Sequence, residues 1–444
     1  MRPSSSSSDD GLFDGVLAAG GVAPAVSDRA WLRAMLDAEA ALAQALSDTG
    51  LISAADADAI VSACDADEFD IGAIGAGAAD SGNPVPALVK ALTSAVRAPA
   101  DRHVHRGATS QDILDTAAML VTRRAMDPLL DDLSAAADAC AGLADQHRDT
   151  LMAGRTLLQQ ALPTTFGLRA AGWTHGIDTA IDGLEAVRER LAVQLGGAAG
   201  TLASLGGDGV RVAAAMARRL DLAAPVLPWH TERTRIAVVG SALATAAGAV
   251  GKVARDITLL AQTEVGEVSE SAGGGSSTLP HKQNPVAAIV AIGGATRAPG
   301  LASTLFAAMV QEHERAAGSW HAEWRTLTEL LTVTGSAAHW LRVSVSGLRI
   351  HTDRMRSNVD ITDGLLLAER LTTALTEKLG RQQAHQLVTE ASRRSIHSGR
   401  SLADELEGAP MTKEQIDKLL TAEDYLGSAH EFIDRALAAH RRDK

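Results

Sequence analysis

The sequence predicts an all-α protein whose long central helices form a bundle. Aromatic residues account for only 3% of the chain and hydrophobic residues for 46%, so the core must consist mainly of Ala, Leu, Val and Ile, which suit closely packed helices. Apolar residues recur at steps of three and four over long stretches, without alternating runs of convincing strand length. A chain of 444 residues is long enough for roughly two or three domains.

The N-terminal region, residues 1–104, is expected to be helical behind a disordered start. The opening MRPSSSSSDD is serine-rich and lacks the apolar core of a secretion signal. Helical spacing runs from about Asp28 to Asp48 and continues as short helices to about Arg97. Glycines between positions 72 and 82 and prolines at 84 and 86 predict breaks in those short helices.

The central region, residues 105–347, is expected to hold the long helices of the bundle. The first helix begins at GATSQD, where Thr109 or Ser110 is the expected N-cap. Asp112 lies in its first turn, where a carboxylate favours the helix dipole. The second helix shows apolar residues at helical spacing from Ile177 to Leu195 and ends at the glycine pair that follows.

A third long helix covers about Ile236–Glu264 and leads directly into a glycine-rich loop. Apolar sequence resumes after Pro285, so this loop lies between two core helices. The C-terminal region, residues 348–444, is more charged and has helical patterns of its own. Three helical regions around a central bundle are therefore predicted.

Composition and charge argue against several classes of protein. The formal charge of −13 disfavours nucleic acid as a partner, because phosphate binding needs a concentrated basic face. The longest uncharged stretch, Ile236–Gly251, is too short and too weakly apolar to predict a membrane span. Cys64 and Cys140 have no CxxC spacing, and His103 and His105 lack further ligands, so neither a disulfide framework nor a metal site is expected. These features predict a cytoplasmic protein.

The stretch SAGGGSSTLPHKQNP, residues 271–285, cannot be a packed helix. Three consecutive glycines carry a large ordering cost, and Pro280 and Pro285 each remove a backbone donor. The residue types leave two interpretations open: a connection between helices, or a mobile catalytic lid whose amides stabilise an anion. In a lid, Lys282 adds a positive charge, and a nearby serine acts as a base if its alkoxide is stabilised.

Three motifs resemble signatures of the fumarase/aspartase superfamily. GGGSSTLPHKQNP resembles its GSSxMPxKxNP signature, with Leu279 in place of the usual Met. HRGATSQDILDTA from His105 and GRTLLQQALPTTFG from Gly154 resemble two others. The motifs occur in the family's order and spacing, and the resemblance covers nearly the whole chain. It implies the superfamily's all-α fold and favours the lid interpretation.

Four further stretches are similar to the branch of bacterial 3-carboxy-cis,cis-muconate cycloisomerases: GNPVPALVKAL, LPWHTERTRIA, QEHERAAGSWHAEW and YLGSA. That resemblance implies a cofactor-free conversion of 3-carboxy-cis,cis-muconate to 4-carboxymuconolactone in protocatechuate (β-ketoadipate) degradation. One carboxylate adds across a double bond, and the carbon next to another carboxylate is protonated. The implied partners are a small tricarboxylate substrate and other copies of the chain, in a homotetramer whose active sites are shared between subunits.

The resemblance also implies the site residues. The expected catalytic residues are Ser276, His105 and Lys282, and the sequence leaves open whether Ser276 or His105 moves the proton. The expected substrate-binding residues carry hydroxyl, amide or cationic groups that suit carboxylates. They are Thr109, Ser110, Gln111, Gln159, Thr164, Ser277, Asn284, His313 and Arg315.

Leu157 argues against amine elimination. In adenylosuccinate lyase and several relatives, this position of the third signature is a histidine thought to protonate the leaving group, which leucine cannot do. A carboxylate, whose conjugate acid has a pKa of roughly 4, departs without help. Other stable anions such as nitrite do the same, so Leu157 does not choose between them. The alternative function is a β-elimination lyase of the same superfamily acting on a substituted succinate, of nitrosuccinate or adenylosuccinate type. A non-catalytic helical scaffold is disfavoured by the intact Ser276, Lys282 and Asn284.

Overall fold

The computed structural model describes residues 11–271, 274–275, 279 and 281–442, and the all-α prediction is confirmed. In chain order the first helices are α1 Asp14–Leu17, α2 Val22–Ala25, α3 Asp28–Asp48, α4 Ala54–Ala63, α5 Ile71–Ser81, α6 Val85–Ala95, α7 Ser110–Gln146, α8 Phe166–Arg188 and α9 Gly209–Leu220. The others are α10 Thr234–Leu260, α11 Val286–Ala307, α12 Ser319–Ser346, α13 Thr352–Asp360, α14 Ala368–Leu379, α15 Arg381–Ser398, α16 Leu402–Glu405, α17 Lys413–Leu419 and α18 Ala429–Arg442.

Short strands and 3₁₀ turns connect these helices. The strands are β1 Leu151–Thr156, β2 Gln159–Thr165, β3 Val268–Glu270, β4 Gly274–Gly275, β5 Gln283–Asn284 and β6 Leu348–Ile350. They pair antiparallel as β1 with β2, β3 with β6, and β4 with β5. The 3₁₀ turns are Ala66–Glu68, Ala100–His103, Ala203–Asp208, Leu365–Leu367 and Ala422–Tyr425.

The chain divides into two compact units. The first comprises the described residues up to Ser134 together with Thr179–Lys252 and Val290–Leu341. The second comprises Ala135–Asp178, the described part of Val253–Ile289, and the described residues from Arg342 onward. The boundaries predicted from sequence, after residues 104 and 347, stay predictions.

Helix α3 is a core helix of the first unit and matches its predicted bounds. The hydroxyl of Ser27 caps it by accepting from the Ala30 N–H, and its apolar stripe, including Leu36 and Leu46, is buried. This stripe packs against α4 and α9. The regular spacing of small and branched apolar residues therefore gives a well-packed helix whose buried stripe contains no aromatic residue.

The helix break predicted at the glycines between positions 72 and 82 was wrong. They lie in α5, whose first turn is capped by Asp70 accepting from the Ala73 N–H, and the helix ends at Gly82 in the left-handed region at φ +74. Pro84 precedes α6, in agreement with the break predicted there, but the break predicted at Pro86 was wrong, because this proline lies in the first turn of α6, where the missing N–H is tolerated. Helix α5 therefore continues through Gly72, Gly75 and Gly77.

The prediction for the second long helix was wrong at its C-terminal end. Helix α8 ends at Arg188 and is followed by a turn at Glu189 and Arg190, and the residues after this turn are not helical although they continue the apolar spacing. The Val193 N–H donates to the Ala223 carbonyl at 3.1 Å, and Nε1 of Trp229 donates to the Val193 carbonyl at 2.9 Å. Tertiary hydrogen bonds therefore replace the helical ones from this point.

A hairpin that the sequence analysis missed lies in the second unit. Strands β1 and β2 are joined by Leu157 and Leu158, which have φ of 51° and 66°. Two successive residues at positive φ form the tight turn that a twisted hairpin requires, a position where glycine or asparagine is normally found. The side chains of Leu157 and Leu158 are 96% and 74% exposed. Both leucines are thus strained and poorly buried.

Helices α14 to α17 of the second unit enclose a core of their own. It includes Leu371, Leu375, Val388, Leu402 and Ile416, all at most 3% exposed. The helical patterns predicted for the C-terminal region therefore correspond to a packed cluster.

Two described helices, α10 and α11, are long and apolar enough to cross a membrane by length and composition alone. In their most apolar windows, 50% and 39% of the residues are buried inside the protein. Core helices of soluble proteins satisfy the same criterion, so this finding is weak evidence for a membrane span.

Replacing the hairpin turn by Leu157→Asn/Leu158→Gly is expected to stabilise the protein by about 1 kcal/mol, because Asn and Gly adopt positive φ with less strain and little buried apolar area is lost. The measurement is the thermal midpoint of unfolding at fixed protein concentration. The matched control is Val226→Asn/Leu227→Gly, a similarly exposed pair (98% and 73%) outside the positive-φ positions. An equal change in both variants would contradict turn strain as the cause.

Candidate active site

The carboxylate of Asp112, in the first turn of α7, is the centre of a polar cluster in the first unit. It is completely buried and accepts backbone N–H bonds from Thr109, Gly196 and Gly197, each at 2.9 Å. Nε2 of His230 lies 2.7 Å from the same carboxylate. Asp112 therefore joins the loop before α7, the glycine pair and the segment before α10. In the sequence it is recognisable only as a first-turn carboxylate, because these tertiary partners lie 84 to 118 residues away.

A second buried network begins one helical turn later. The Arg233 guanidinium donates to Asp115 at 2.7 and 3.1 Å and to Glu323 through Nε at 3.0 Å. Trp320 donates to Asp115, and Gln311 donates to Glu323. Burial lowers the pKa of Arg233, but the two carboxylates outweigh it and raise that pKa. The network joins α7, the residue that precedes α10, and α12 within this unit.

Gln111 and Arg315, two predicted substrate-binding residues, meet beside these networks. Gln111 is completely buried, and its amide N–H groups donate to Asp115 and to the His230 carbonyl. Its Oε1 accepts from Arg315 at 3.3 Å, and Arg315 also donates to the carbonyls of Gly197 and Ala198. Gln111 is therefore occupied as a bridge between Arg315 and the buried network.

Arg315 differs from Arg233 in its partners. Two carboxylates neutralise the charge of Arg233. The hydrogen-bond partners of Arg315 are neutral oxygens, and it makes no ion pair with a carboxylate in the part of the chain that the structure describes. It is half-buried. A cation held by neutral groups keeps its charge for an anionic ligand.

His105 and His313 both have a left-handed backbone, with φ of 58° and 54°. Such conformations are uncommon for residues other than glycine and concentrate at functional sites. Nδ1 of His105 lies 2.6 Å from Oε1 of the buried Glu39. His313 is exposed, and its carbonyl accepts from the Thr231 hydroxyl at 2.8 Å. Glu39 is a partner that sequence reasoning missed, since nothing in α3 marks it apart from being an acidic residue at a core position.

The second unit has its own ion pair, which lies close to the turn of the hairpin. Arg155 donates to both oxygens of Glu267 at 2.9 and 2.7 Å, and Glu267 is completely buried. Asn358 donates to Glu267 at 2.7 Å, and Gln160 donates to the Asn358 carbonyl. This arrangement holds the hairpin against α13 and the segment before β3.

The glycine-rich loop starts and ends at anchored positions. Glu270 accepts from the N–H groups of Ala287 and Ala288 at 3.0 and 2.9 Å and from the Ser344 hydroxyl at 2.6 Å. Its carboxylate thereby caps the N-terminus of α11 from the other side of the loop. Gly274 pairs with Asn284, which closes the base of the loop.

The predicted site residues are distributed over both units. The first unit contains His105, Thr109, Ser110, Gln111, His313 and Arg315, and the second contains Gln159, Thr164, Lys282 and Asn284. Lys282 and Gln159 are exposed. Ser276 and Ser277 lie outside the described residues. The roles predicted for these residues stay predictions, and the geometry adds Asp112, Asp115, Arg233, Glu323 and Glu39 as their supports.

Comparisons with known proteins agree with the signature motifs. Residues 21–300 match the family model described as lyase, and residues 364–436 match the one described as adenylosuccinate lyase C-terminus. The chain belongs to the fumarase/aspartase superfamily. It is 48% identical to a 3-carboxy-cis,cis-muconate cycloisomerase from Bradyrhizobium diazoefficiens, covering 97% of this chain and 98% of that one.

Two further superfamily members are informative. A nitrosuccinate lyase from Streptomyces davaonensis is 45% identical, covering 98% of this chain and 96% of its own. The crystal structure of a 3-carboxy-cis,cis-muconate lactonizing enzyme from Pseudomonas putida is 43% identical with a TM-score of 0.90, covering 97% and 99%. The superfamily relatives therefore include both chemistries that Leu157 left open.

Asp112→Asn is expected to destabilise the protein by about 3 kcal/mol, because an amide keeps the size but loses the charge and turns an NH₂ group towards N–H donors. Denaturant unfolding at neutral pH measures the change. Asp131→Asn, an exposed aspartate on the same helix, is the control and is expected to change stability by less than about 0.5 kcal/mol. Equal stability of the two variants would show that the four hydrogen bonds contribute little.

Proposed function

We propose that this protein is a cofactor-free cycloisomerase that converts 3-carboxy-cis,cis-muconate to 4-carboxymuconolactone. The observation that carries the proposal is the 48% identity, over 97% of the chain, to a relative of that name, and a solved relative described as the lactonizing enzyme supports it. The reaction is an isomerisation. A carboxylate oxygen forms a bond to a carbon of the diene, and the carbon next to another carboxylate gains a proton.

The residues supply what this reaction needs. Arg315, Lys282 and His313 hold the three carboxylates of the substrate, with amide and hydroxyl donors from the signature motifs beside them. Arg315 suits this role because its described partners are neutral oxygens. Ser276 or His105 transfers the proton. Leu157 transfers none, in keeping with a carboxylate as the group that adds or leaves.

The same proposal includes the oligomeric state of the protein and its place in metabolism. The protein is a cytoplasmic homotetramer whose active sites take His105, the Thr164 region and Ser276 from different subunits. Its place is in protocatechuate (β-ketoadipate) degradation. The location of His105 in one compact unit and of Thr164 and Lys282 in the other is compatible with sites assembled from several chains.

Nitrosuccinate elimination is the second candidate. The 45% identical nitrosuccinate lyase favours it, and so does Leu157, because nitrite is also a stable anion that leaves without an acid. The proton then moves in the opposite direction, from the carbon next to a carboxylate to a base, while the carbon–nitrogen bond breaks. Both reactions use the same carboxylate-binding groups.

Purified protein is expected to remove the ultraviolet absorbance of the conjugated diene of 3-carboxy-cis,cis-muconate and to yield a lactone of unchanged mass. The parallel assay supplies nitrosuccinate and measures released nitrite. A heat-denatured sample corrects for spontaneous reaction in both. Nitrite release without lactone formation would overturn the cycloisomerase proposal in favour of the second candidate.

Shared sites predict complementation between two inactive variants. Ser276→Ala and His105→Asn are each expected to lower kcat by about 10²-fold or more, because each removes a proposed proton-transfer group. Tetramers formed by co-expression should regain about a quarter of the wild-type activity, since random assembly leaves about one site in four with both native residues. The readout is activity per mixed tetramer isolated through two affinity tags.

The control for complementation co-expresses Ser276→Ala with the Ser276→Ala/His105→Asn double variant, which has no native Ser276 to contribute. It should remain inactive. Mixed tetramers of the two single variants that stay equally inactive would contradict active sites shared between subunits.

A further inference from the structure

The buried Glu39 and the partly exposed His105 form a close pair in the first unit. Glu39 lies in the middle of α3 with its side chain 1% exposed, whereas that of His105 is 19% exposed. Nδ1 of His105 lies 2.6 Å from Oε1 of Glu39. Among the described residues, Oε2 of Glu39 is buried without a hydrogen-bond partner. The negative charge of this carboxylate therefore has His105 as its main compensation.

The backbone of the loop that carries His105 is also fixed in its conformation. His105 adopts φ 58°, a strained conformation, and its carbonyl accepts from the Ala108 N–H at 3.3 Å. Gly107 follows at φ 87°, with Leu205 so close that a Cβ there would lie 2.5 Å from its side chain. The loop is thus fixed by strain and packing, and Asp112 secures its end through Thr109.

The short distance between Nδ1 of His105 and Glu39 indicates which ring nitrogen of His105 is protonated. A carboxylate that approaches Nδ1 at 2.6 Å accepts a hydrogen bond from it, so Nδ1 carries a proton. If the ring is neutral, Nε2 is then a bare acceptor. If the ring is protonated, Nε2 is a donor, and the pair is electrically balanced within the protein.

We propose that Glu39 is a positioning residue that holds His105 as the imidazolium and leaves its Nε2–H to a substrate carboxylate or to the carbon that is protonated. The proposal rests on the function proposed above, and it assigns Glu39 a role in the reaction without contact to substrate. A carboxylate that orients a histidine and stabilises its cation is a recurring device in catalysis.

The charges around His105 favour the cation. Burial lowers the pKa of His105, but the hydrogen bond to Glu39 and the charges of Glu39 and Asp112 outweigh it, so the net pKa is raised. The neighbouring titratable and charged groups are His103 and Arg106 in the same loop, Asp56 beside His103, Asp112 on α7, and Cys64 near Glu39. Burial, followed by Glu39 and Asp37, raises the pKa of Cys64 to about 12, so the thiol stays neutral in the range of interest.

The raised pKa of His105 determines how stability and activity should change with pH. Because the pKa of His105 is raised in the folded protein, its protonation stabilises the fold below the ordinary value of 6.5, and this contribution is lost as pH rises through the raised pKa. Activity that requires the imidazolium is lost over the same upper range. Removing the charge of Glu39 leaves burial dominant, which lowers the pKa and moves this loss to lower pH.

Glu39→Gln tests the proposal because glutamine still accepts from Nδ1 but carries no charge. The alkaline limb of kcat/KM is expected to shift to lower pH by about one unit or more, with activity largely recovered on the acidic side. Asp37→Asn is the control, since it removes a charge from the same helix at a residue that is paired with Arg124. The control should keep the wild-type profile. A uniform loss of activity in Glu39→Gln at every pH would show a purely structural role.

A titration without turnover separates this inference from the proposed function. In protein labelled with [¹³C]ε1-histidine, the His105 signal is assigned by its absence in His105→Asn and followed between pH 5 and pH 9. The midpoint should lie above that of free histidine in the wild type and fall in Glu39→Gln. An unchanged midpoint would overturn the proposal whichever substrate the enzyme uses, whereas a shifted midpoint without muconate turnover would overturn only the proposed reaction.

Discussion

The buried carboxylate of Asp112 is the constraint on which the geometry of the first unit depends. Three backbone N–H groups and one imidazole converge on it from segments that are far apart in the chain. Thr109 immediately precedes α7, and the loop that carries His105 ends there. A charged acceptor satisfied on all sides is costly to move, because any displacement leaves donors or the charge itself without partners. The position of the loop is therefore set by electrostatics as much as by apolar packing.

Around that centre, the protein uses buried anions to place its cations. Arg233 is neutralised by Asp115 and Glu323 and has a structural role, whereas Arg315 is held by neutral oxygens and retains its charge. A chain with a net charge of −13 thus contains a half-buried guanidinium whose hydrogen-bond partners among the described residues are all neutral. The overall sign of a protein and the sign of its site are independent quantities.

Local patterns were sufficient to predict α3, the start of α7 and the all-α class, because these depend on spacing and capping within a few residues. They failed where distant contacts decide. The apolar spacing continues past Arg188, but hydrogen bonds to Ala223 and Trp229 end the helix. The hairpin was missed because Leu157 and Leu158 are not turn formers, and the roles of Asp112 and Glu39 were missed because their partners lie in other helices and loops. The family motifs located candidate residues that physical pattern alone did not distinguish.

The conformation at Leu157 also bears on how this scaffold changes its chemistry in evolution. Histidine tolerates positive φ better than leucine does, so a histidine at that turn relieves strain as well as adding a proton donor. Leucine in place of histidine at this position increases the backbone strain and removes the proton donor. On the proposed function, the side chain in this hairpin turn would therefore bear on two things at once: the strain of the turn and the supply of a proton to a leaving group.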